Sequence, residues 1–324
     1  MTFNGALTRS FMGNQGVMEF NVSLLEPGDP PRPLTQLSAN QISLRVDSVT
    51  DLLGIPQPVS VTLSASQIQN PSPALAQQPL AMAVLMDGSG SLFVTDRRDQ
   101  RFLAAFGLVD QFRDMPVDFA AILRFDNRAT GFGSTALGQP LQTAQLLQDF
   151  TDDEAQLQRG ILQTTPGGNT ALFDASLESA GLLSDFRQGE ELNRRLVVFT
   201  DGIDNDSRLT LTEAITGIQA LPNGSRQGIS TYVVGLGTDL DLFELQQLAA
   251  ATQGTFALAK VPEELGSPFA NLFPAAIGEN RVEVIVESTS ALAAGNYLLS
   301  GNLQINRGGI SLTTAFRDAA LVVR

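Results

Sequence analysis

Four apolar runs constrain this chain more than any other feature: "LAMAVLM" at 80–86, "VDFAAILRFD" at 117–126, "RRLVVFTDG" at 194–202 and "ISTYVVGLG" at 229–237. Such runs suit strands covered on both faces, whereas a strand with one wet face alternates apolar and polar residues. Segments with helical spacing separate them. "RRDQRFLAAFGLVDQF" sets Phe102, Phe106, Val109 and Phe112 on one side, and "DDEAQLQRGILQ", "ALFDASLESAGLL", "TLTEAITGIQAL" and "DLFELQQLAAAT" read as further helices. "GTFALA" supplies a short last strand, and "PFANLFPAAI" a last helix. Repeated strand–helix units predict an α/β fold, doubly wound around a mainly parallel sheet, over residues 80–279.

The two ends of the chain read differently. "VMEFNVSLLEP", "QISLRVDSV" and "PVSVTLSA" lie before residue 79, and "RVEVIVES", "GNYLLSGNLQINRG" and "ISLTTAFR" after 280; all are β-rich with partial alternation. The Pro-rich "NPSPALAQQP" reads as a linker ending near Pro79. The economical arrangement is one β-sandwich built from residues 1–79 and 280–324, with the α/β unit inserted between them. Two separate β appendages are the alternative.

Composition narrows the chemistry. The 324 residues contain no Cys and no His, so thiolate metal sites, disulfides and His-based triads are excluded. Any bound metal must take oxygen ligands, which points to Mg²⁺, Ca²⁺ or Mn²⁺. The formal net charge of -14 disfavours nucleic acid and anionic lipid as partners. No apolar run is long enough to span a membrane.

The first apolar run ends in "MDGSGS". In open α/β sheets ligands bind beyond the carboxyl ends of the strands. Asp87 ends that strand, and Ser89 and Ser91 follow at alternate positions in a Gly-spaced loop. The same logic brings Asp201 of "VVFTDG" and Thr170 of "TTPGGNTALFDA" to that edge. Two carboxylates and three hydroxyls form a hard oxygen set suited to Mg²⁺. Taken alone, Asp87, Ser89 and Ser91 would also suit a strand-to-helix turn with an N-cap.

Asp87, Ser89, Ser91, then Thr170 in "GGNTALFDA", then Asp201 in "VVFTDGIDN", together resemble the metal-ion-dependent adhesion site of the von Willebrand factor type A domain. The resemblance covers roughly residues 80–279 and not the terminal β segments, although flanking sandwiches occur in surface and pilus-associated members. It implies that Ser89 and Ser91 bind the ion directly, Thr170 directly or through water, and Asp87 and Asp201 largely through water or hydrogen bonds. It further implies a non-enzymatic module whose incompletely neutralised ion takes an Asp or Glu carboxylate from a partner protein or surface. Its last helix, near Glu263 to Ile277, would shift in any affinity switch. A structural role in a filament or surface layer, through self-assembly, is the second reading. Metal-dependent phosphoryl transfer or hydrolysis is the third, with Asp126 the only available base. A secreted, cell-surface or periplasmic location follows from the β flanks, with a cytoplasmic role as partner of an ATPase also open.

Other acids have plainer readings. Asp126 reads as a solvated loop acid in preference to a residue supporting the metal ligands from behind, Asp204 and Asp206 as turn residues rather than a second cation site, and Asp174 as either orienting the Thr170 loop or lying on a helix face. "GFGSTALG" at 131–138 lacks the spacing of a nucleotide loop.

Overall fold

The computed structural model describes residues 1–26, 32–34, 36–127, 142–224, 226–307 and 309–324. The "GFGSTALG" segment lies outside the described residues. In chain order the principal strands begin with β1 (Thr2–Met12), β2 (Gln15–Ser23), β3 (Ile42–Asp51) and β4 (Val61–Gln69). The α/β unit follows: β5 (Leu80–Asp87), α1 (Leu92–Thr95), α2 (Gln100–Val109), β6 (Phe119–Phe125), β7 (Ala144–Thr151), α3 (Glu154–Ile161), α4 (Leu172–Asp185), β8 (Asn193–Thr200), α5 (Leu211–Ala220), β9 (Ser230–Leu236), α6 (Leu242–Ala251), β10 (Phe256–Ala259) and α7 (Gly266–Ile277). The chain closes with β11 (Glu279–Ser288), β12 (Gly295–Arg307) and β13 (Ile310–Val323).

The central sheet has six strands in the order β10-β9-β8-β5-β6-β7. All neighbours are parallel except β6 and β7, which pair antiparallel. From β5 the chain runs outward to β6 and β7, then crosses back to β8, β9 and β10. The strand order therefore reverses between β5 and β8, which is where doubly wound sheets open a crevice.

The apolar run of β5 is explained by its two faces. Ala81, Ala83 and Leu85 join one core with α4, α5 and α6 residues, among them Leu172, Ile218 and Leu245. Leu80, Met82, Val84 and Met86 join the opposite core with α2, α3 and α7 residues such as Leu108, Ile161 and Phe269. Every side chain of β5 is buried. A buried Leu or Met contributes about 1.5–3 kcal/mol, so this strand anchors whatever its carboxyl end carries.

The terminal strands form two antiparallel sheets, β1-β2-β11-β4 and β13-β12-β3. Strands from both ends of the chain meet in each: β11 pairs with β2 and β4, and β12 with β3. Their inward residues, including Phe20, Val284, Leu299 and Phe316, share one apolar cluster. Phe3, Phe20 and Phe316 meet there edge-on or tilted at centroid distances of 5.1–5.8 Å.

Two features add to the sequence reading. Strand β7 was not legible, because "AQLLQDFT" has neither an apolar run nor clean alternation and its side chains are only half-buried. The Pro-rich segment before Pro79 is docked rather than loose. It forms a 3₁₀ turn over Pro73–Gln77, and the Arg113 guanidinium donates to the carbonyls of Ala76 (2.6 Å) and Gln78 (3.0 Å). The same guanidinium pairs with buried Asp118 at 2.7 Å, so one arginine ties the entry of β5 to the loop before β6.

Candidate metal centre at the sheet rim

The crevice between β5 and β8 receives Asp87 from the end of one strand and Asp201 from just beyond the other. Asp87 is fully buried, and its two oxygens are spoken for. One accepts the Ser89 amide at 2.6 Å, the other the Thr200 hydroxyl at 2.6 Å. The carboxylate thus shapes the "DGSGS" loop from beneath and pins it to β8.

Above it the hydroxyls converge. Ser89 Oγ and Ser91 Oγ lie 2.8 Å apart. The Ser91 hydroxyl donates to Asp201 Oδ1 at 2.7 Å, and Ser89 Oγ lies 3.4 Å from the same oxygen. The Thr95 hydroxyl, one turn along α1, donates to the other Asp201 oxygen. Asp87, Ser89, Thr170 and Asp201 are buried, whereas Ser91 is exposed, so the cluster opens to solvent on the Ser91 side.

Thr170 arrives on a separate loop, and backbone contacts fix its position. The Gly167 amide donates to the Gly88 carbonyl at 2.6 Å and the Gly90 amide to the Gly168 carbonyl at 3.0 Å. Gly168 has φ +99°, and a Cβ there would lie 2.6 Å from Asn127 Oδ1, so a side chain at 168 would press on the segment after β6. A Cβ added to Gly202 would lie 3.2 Å from Thr170 Oγ1 and 3.8 Å from Ser91 Oγ. Thr170, Ser91 and the Asp201–Gly202 corner therefore border one small cradle. The structure brings together all five residues singled out in the sequence.

The loop after Asp201 locks this arrangement. Helix α4 has no side-chain cap of its own at Ala171, which leaves the amides of its first turn without partners. Residues from 204–207 supply them: Asn205 Oδ1 accepts the Thr170 amide at 2.9 Å, and Ser207 Oγ and Asp204 accept the Phe173 amide at 3.0 and 3.2 Å. Asp174, buried, accepts the Leu209 amide at 2.9 Å and pairs with Arg208 at 3.3 Å. Of its two sequence readings, the orienting one fits this geometry. Asp204 does turn and capping chemistry, and Asp206 is exposed.

Asp126 departs from its expected role as a solvated acid. It is fully buried and ion-paired with Arg124 under the loop. Arg124 in turn donates to the Thr165 carbonyl at 2.8 Å, bracing the segment that leads to Thr170. Thr95 and Thr200 were missed in the sequence. Each had a signal: Thr200 is the polar residue ending an apolar run, and Thr95 lies four residues after Ser91, the spacing of one helical turn.

Electrostatics set what this rim can do. Burial raises the Asp87 carboxyl to about 6, with the neighbouring Asp201 charge adding to the rise and the Thr200 and Ser89 hydrogen bonds opposing it. Asp201 is raised too, chiefly by burial, and held back by Thr95, Ser91 and Ser89. Two acids strained toward the neutral form, beside hydroxyls and an opening, suit a divalent cation, which inverts that balance. Among the described residues no three Asp or Glu side chains group around one point, so the donors present are mainly hydroxyl oxygens.

Residues 82–269 match the von Willebrand factor type A domain. The chain belongs to that family. The family is one of adhesion and protein-interaction modules, whose members often bind a divalent metal. No curated protein matches the chain. Among solved structures it is similar to a von Willebrand factor type A protein from Catenulispora acidiphila, at 14% identity and TM-score 0.47, covering 99% of this chain and 75% of that one. It is also similar to manganese-loaded TRAP protein from Plasmodium vivax, at 13% identity and TM-score 0.44, covering 80% of this chain and 97% of that one. A third is the pilus adhesin SpaC from Lactobacillus rhamnosus GG, at 10% identity and TM-score 0.44, covering 93% and 48%. The family assignment rests on the match over 82–269.

Proposed function

We propose that this domain is a non-enzymatic, metal-dependent docking module. Asp87, Ser89, Ser91, Thr170 and Asp201 hold a divalent ion, Mg²⁺ in the first place with Ca²⁺ or Mn²⁺ able to replace it. When bound, the ion supplies residual positive charge that takes an Asp or Glu carboxylate of a partner protein or surface. Ser89 and Ser91 offer neutral oxygens, Asp87 orients the Ser89 amide from below, and Asp201 gathers the hydroxyls. The observation that carries the reading is the rim cluster itself, with three hydroxyl-bearing residues and two buried carboxylates around an opening at Ser91. Asp126, the one candidate general base, is committed to Arg124, which weighs against hydrolysis.

In this reading residues 80–279 form the binding unit, and residues 1–79 with 280–324 form a β-sandwich that carries it. The apolar cluster shared by the two terminal sheets supports that division. A secreted, cell-surface or periplasmic setting suits an adhesion role, and no described helix is long and apolar enough to cross a membrane. The second reading, a structural subunit of a filament or surface assembly, draws on exposed Ile310 and Leu312 at the start of β13.

Calorimetry of the full chain against an acidic partner, with Mg²⁺ and then with EDTA, tests the docking reading. Binding that disappears with the chelator is expected; binding indifferent to it contradicts the bridge. Concentration-dependent self-association unaffected by Mg²⁺ would favour the second reading.

A further inference from the structure

Helix α1 follows Ser91 directly and is a single turn, so its few side chains divide sharply. Leu92 is 1% exposed and serves as the anchor, and Thr95 turns inward to Asp201. Phe93 and Val94, between them, are 62% and 66% exposed. Consecutive α-carbons lie about 3.8 Å apart, which keeps both residues within a short reach of Ser91. Two large apolar side chains therefore stand in water beside the opening of the candidate metal centre.

The next residues add charge. "TDRRDQR" contains two acids, and Arg101 takes both: its guanidinium, fully buried, lies 2.9 Å from Asp96 and 2.8 Å from Asp99. Asp96 also accepts the amides of Gln100 and Arg101, fixing the α1–α2 corner. Arg97 and Arg98 are exposed and form no ion pair among the described residues. In a chain of net charge -14 with 20 basic residues, two adjacent exposed arginines without an ion pair among the described residues, six and seven positions after Ser91, are a local reversal of sign.

We propose that the α1 flank is the second half of the docking surface, and that the partner segment is both acidic and apolar: one carboxylate for the ion, a large apolar side chain for Phe93 and Val94, and at least one further carboxylate for Arg97 and Arg98. The inference rests on the metal-bridged reading above and specifies its partner. Charge complementarity selects an acidic segment, because a basic one would meet both the ion and the arginines as like charges. The exposed aromatic and β-branched pair supplies contact area that grows in value as docking excludes water. The flank is also tied to the centre by the Thr95–Asp201 hydrogen bond, so the two surfaces share one rigid corner.

The test uses the full chain with Mg²⁺ and three synthetic heptapeptides. The first carries one Asp among glycines, the second adds a Leu and two Glu, and the third replaces those Glu with Lys. Dissociation constants come from chemical-shift titrations, and Mn²⁺ affinity is measured separately on every variant. The second peptide is expected to bind at least about tenfold tighter than the first at low ionic strength and tighter than the third, with the advantage shrinking as salt shortens the screening length toward about 3 Å. Phe93→Ser, and Arg97→Ser combined with Arg98→Ser, should each reduce that advantage while leaving Mn²⁺ affinity and binding of the first peptide unchanged. Equal affinity for the first and second peptides, or an advantage that survives both variants, overturns the inference and leaves the metal reading standing if Mn²⁺ still binds; tight binding in EDTA overturns the metal bridge and the inference together. Failure to bind Mn²⁺ at all overturns the metal reading and this inference with it.

Discussion

Asp87 and Asp201 at the sheet rim, and Glu279 where β11 leaves α7, are buried acids pushed above the usual carboxylate range, and their surroundings have little else in common. At the rim two like charges face each other across hydroxyls, next to an opening. At the seam Glu279 is raised to about 7 by burial, but cations already face it: the Arg281 charge opposes the rise, with Arg281 Nε 3.7 Å away, and Arg195 acts in the same sense. Asn4 donates to Glu279 at 3.3 Å and to Ser23 at 2.8 Å, and Glu19 adds a like charge. Glu279 has cationic neighbours from within the fold, although burial still dominates. A buried pair supplied with hydroxyls and one amide, and with no cation among those hydrogen-bond partners, is left for something from outside to balance. The difference lies in the neighbours rather than in the depth of burial.

The sharpest way to break this contrast is to remove one rim acid. Asp201→Ala should lower Mn²⁺ affinity by about 100-fold or more in calorimetry while far-UV circular dichroism stays unchanged, because the cluster loses the carboxylate that gathers Ser91 and Thr95. A variant that still binds Mn²⁺ like the parent would place the ion elsewhere.

The seam is expected to fail by packing instead. A Cβ on Gly5 would lie 2.0 Å from the Phe256 carbonyl oxygen, where β1 crosses β10. Gly5→Ala should therefore cost about 1–3 kcal/mol in urea unfolding, with Mn²⁺ affinity in the surviving fold untouched.

Acidity separates the two places further. The folded pKa of Glu279, about 7, lies above the ordinary glutamate value of 4.5, so the folded state holds the proton more tightly. That contribution is intact below about 4.5 and is lost as pH rises through about 7. Glu279→Gln should remove this decline between about pH 6 and pH 8, above the range in which the raised Asp87 carboxyl acts, and the urea midpoint reports it. A decline that persists in the variant would move its origin to other groups.

The smallest effect concerns the lacing between the rim loops. Asp174→Asn removes the charge that pairs with Arg208 and weakens the hold on the 208–209 amides, for a loss of about 1 kcal/mol and a modest drop in Mn²⁺ affinity. No change in either quantity would make Asp174 a bystander.

Much of this was legible before any coordinates. The long parallel strands of the central sheet announce themselves because a run buried on both faces has few polar residues to dilute it, as Leu80 to Met86 shows. The rim residues were legible because each directly follows such a run or opens a helix. Reading failed where long-range packing decides. Strand β7 owes its place to pairing with β6, and the Pro73–Gln77 turn is held by Arg113, which lies far along the chain. The clue to Asp126 is local: it lies just past the end of β6 and two residues after Arg124, its ion-pair partner. The seam around Glu279 could not be read at all, since Asn4, Ser23 and Arg281 meet only after both chain ends pair.

The most direct measurement is the anomalous signal of a crystal of the full chain grown with Mn²⁺. The expected result is a single peak at the β5–β8 crevice, about 2.0–2.4 Å from Ser89 Oγ and Ser91 Oγ, with one coordination position turned toward solvent or filled by a neighbouring molecule's carboxylate. A crevice without a peak at millimolar Mn²⁺, or a peak held by other residues, would contradict the claim that hydroxyl groups over two buried acids form the docking centre.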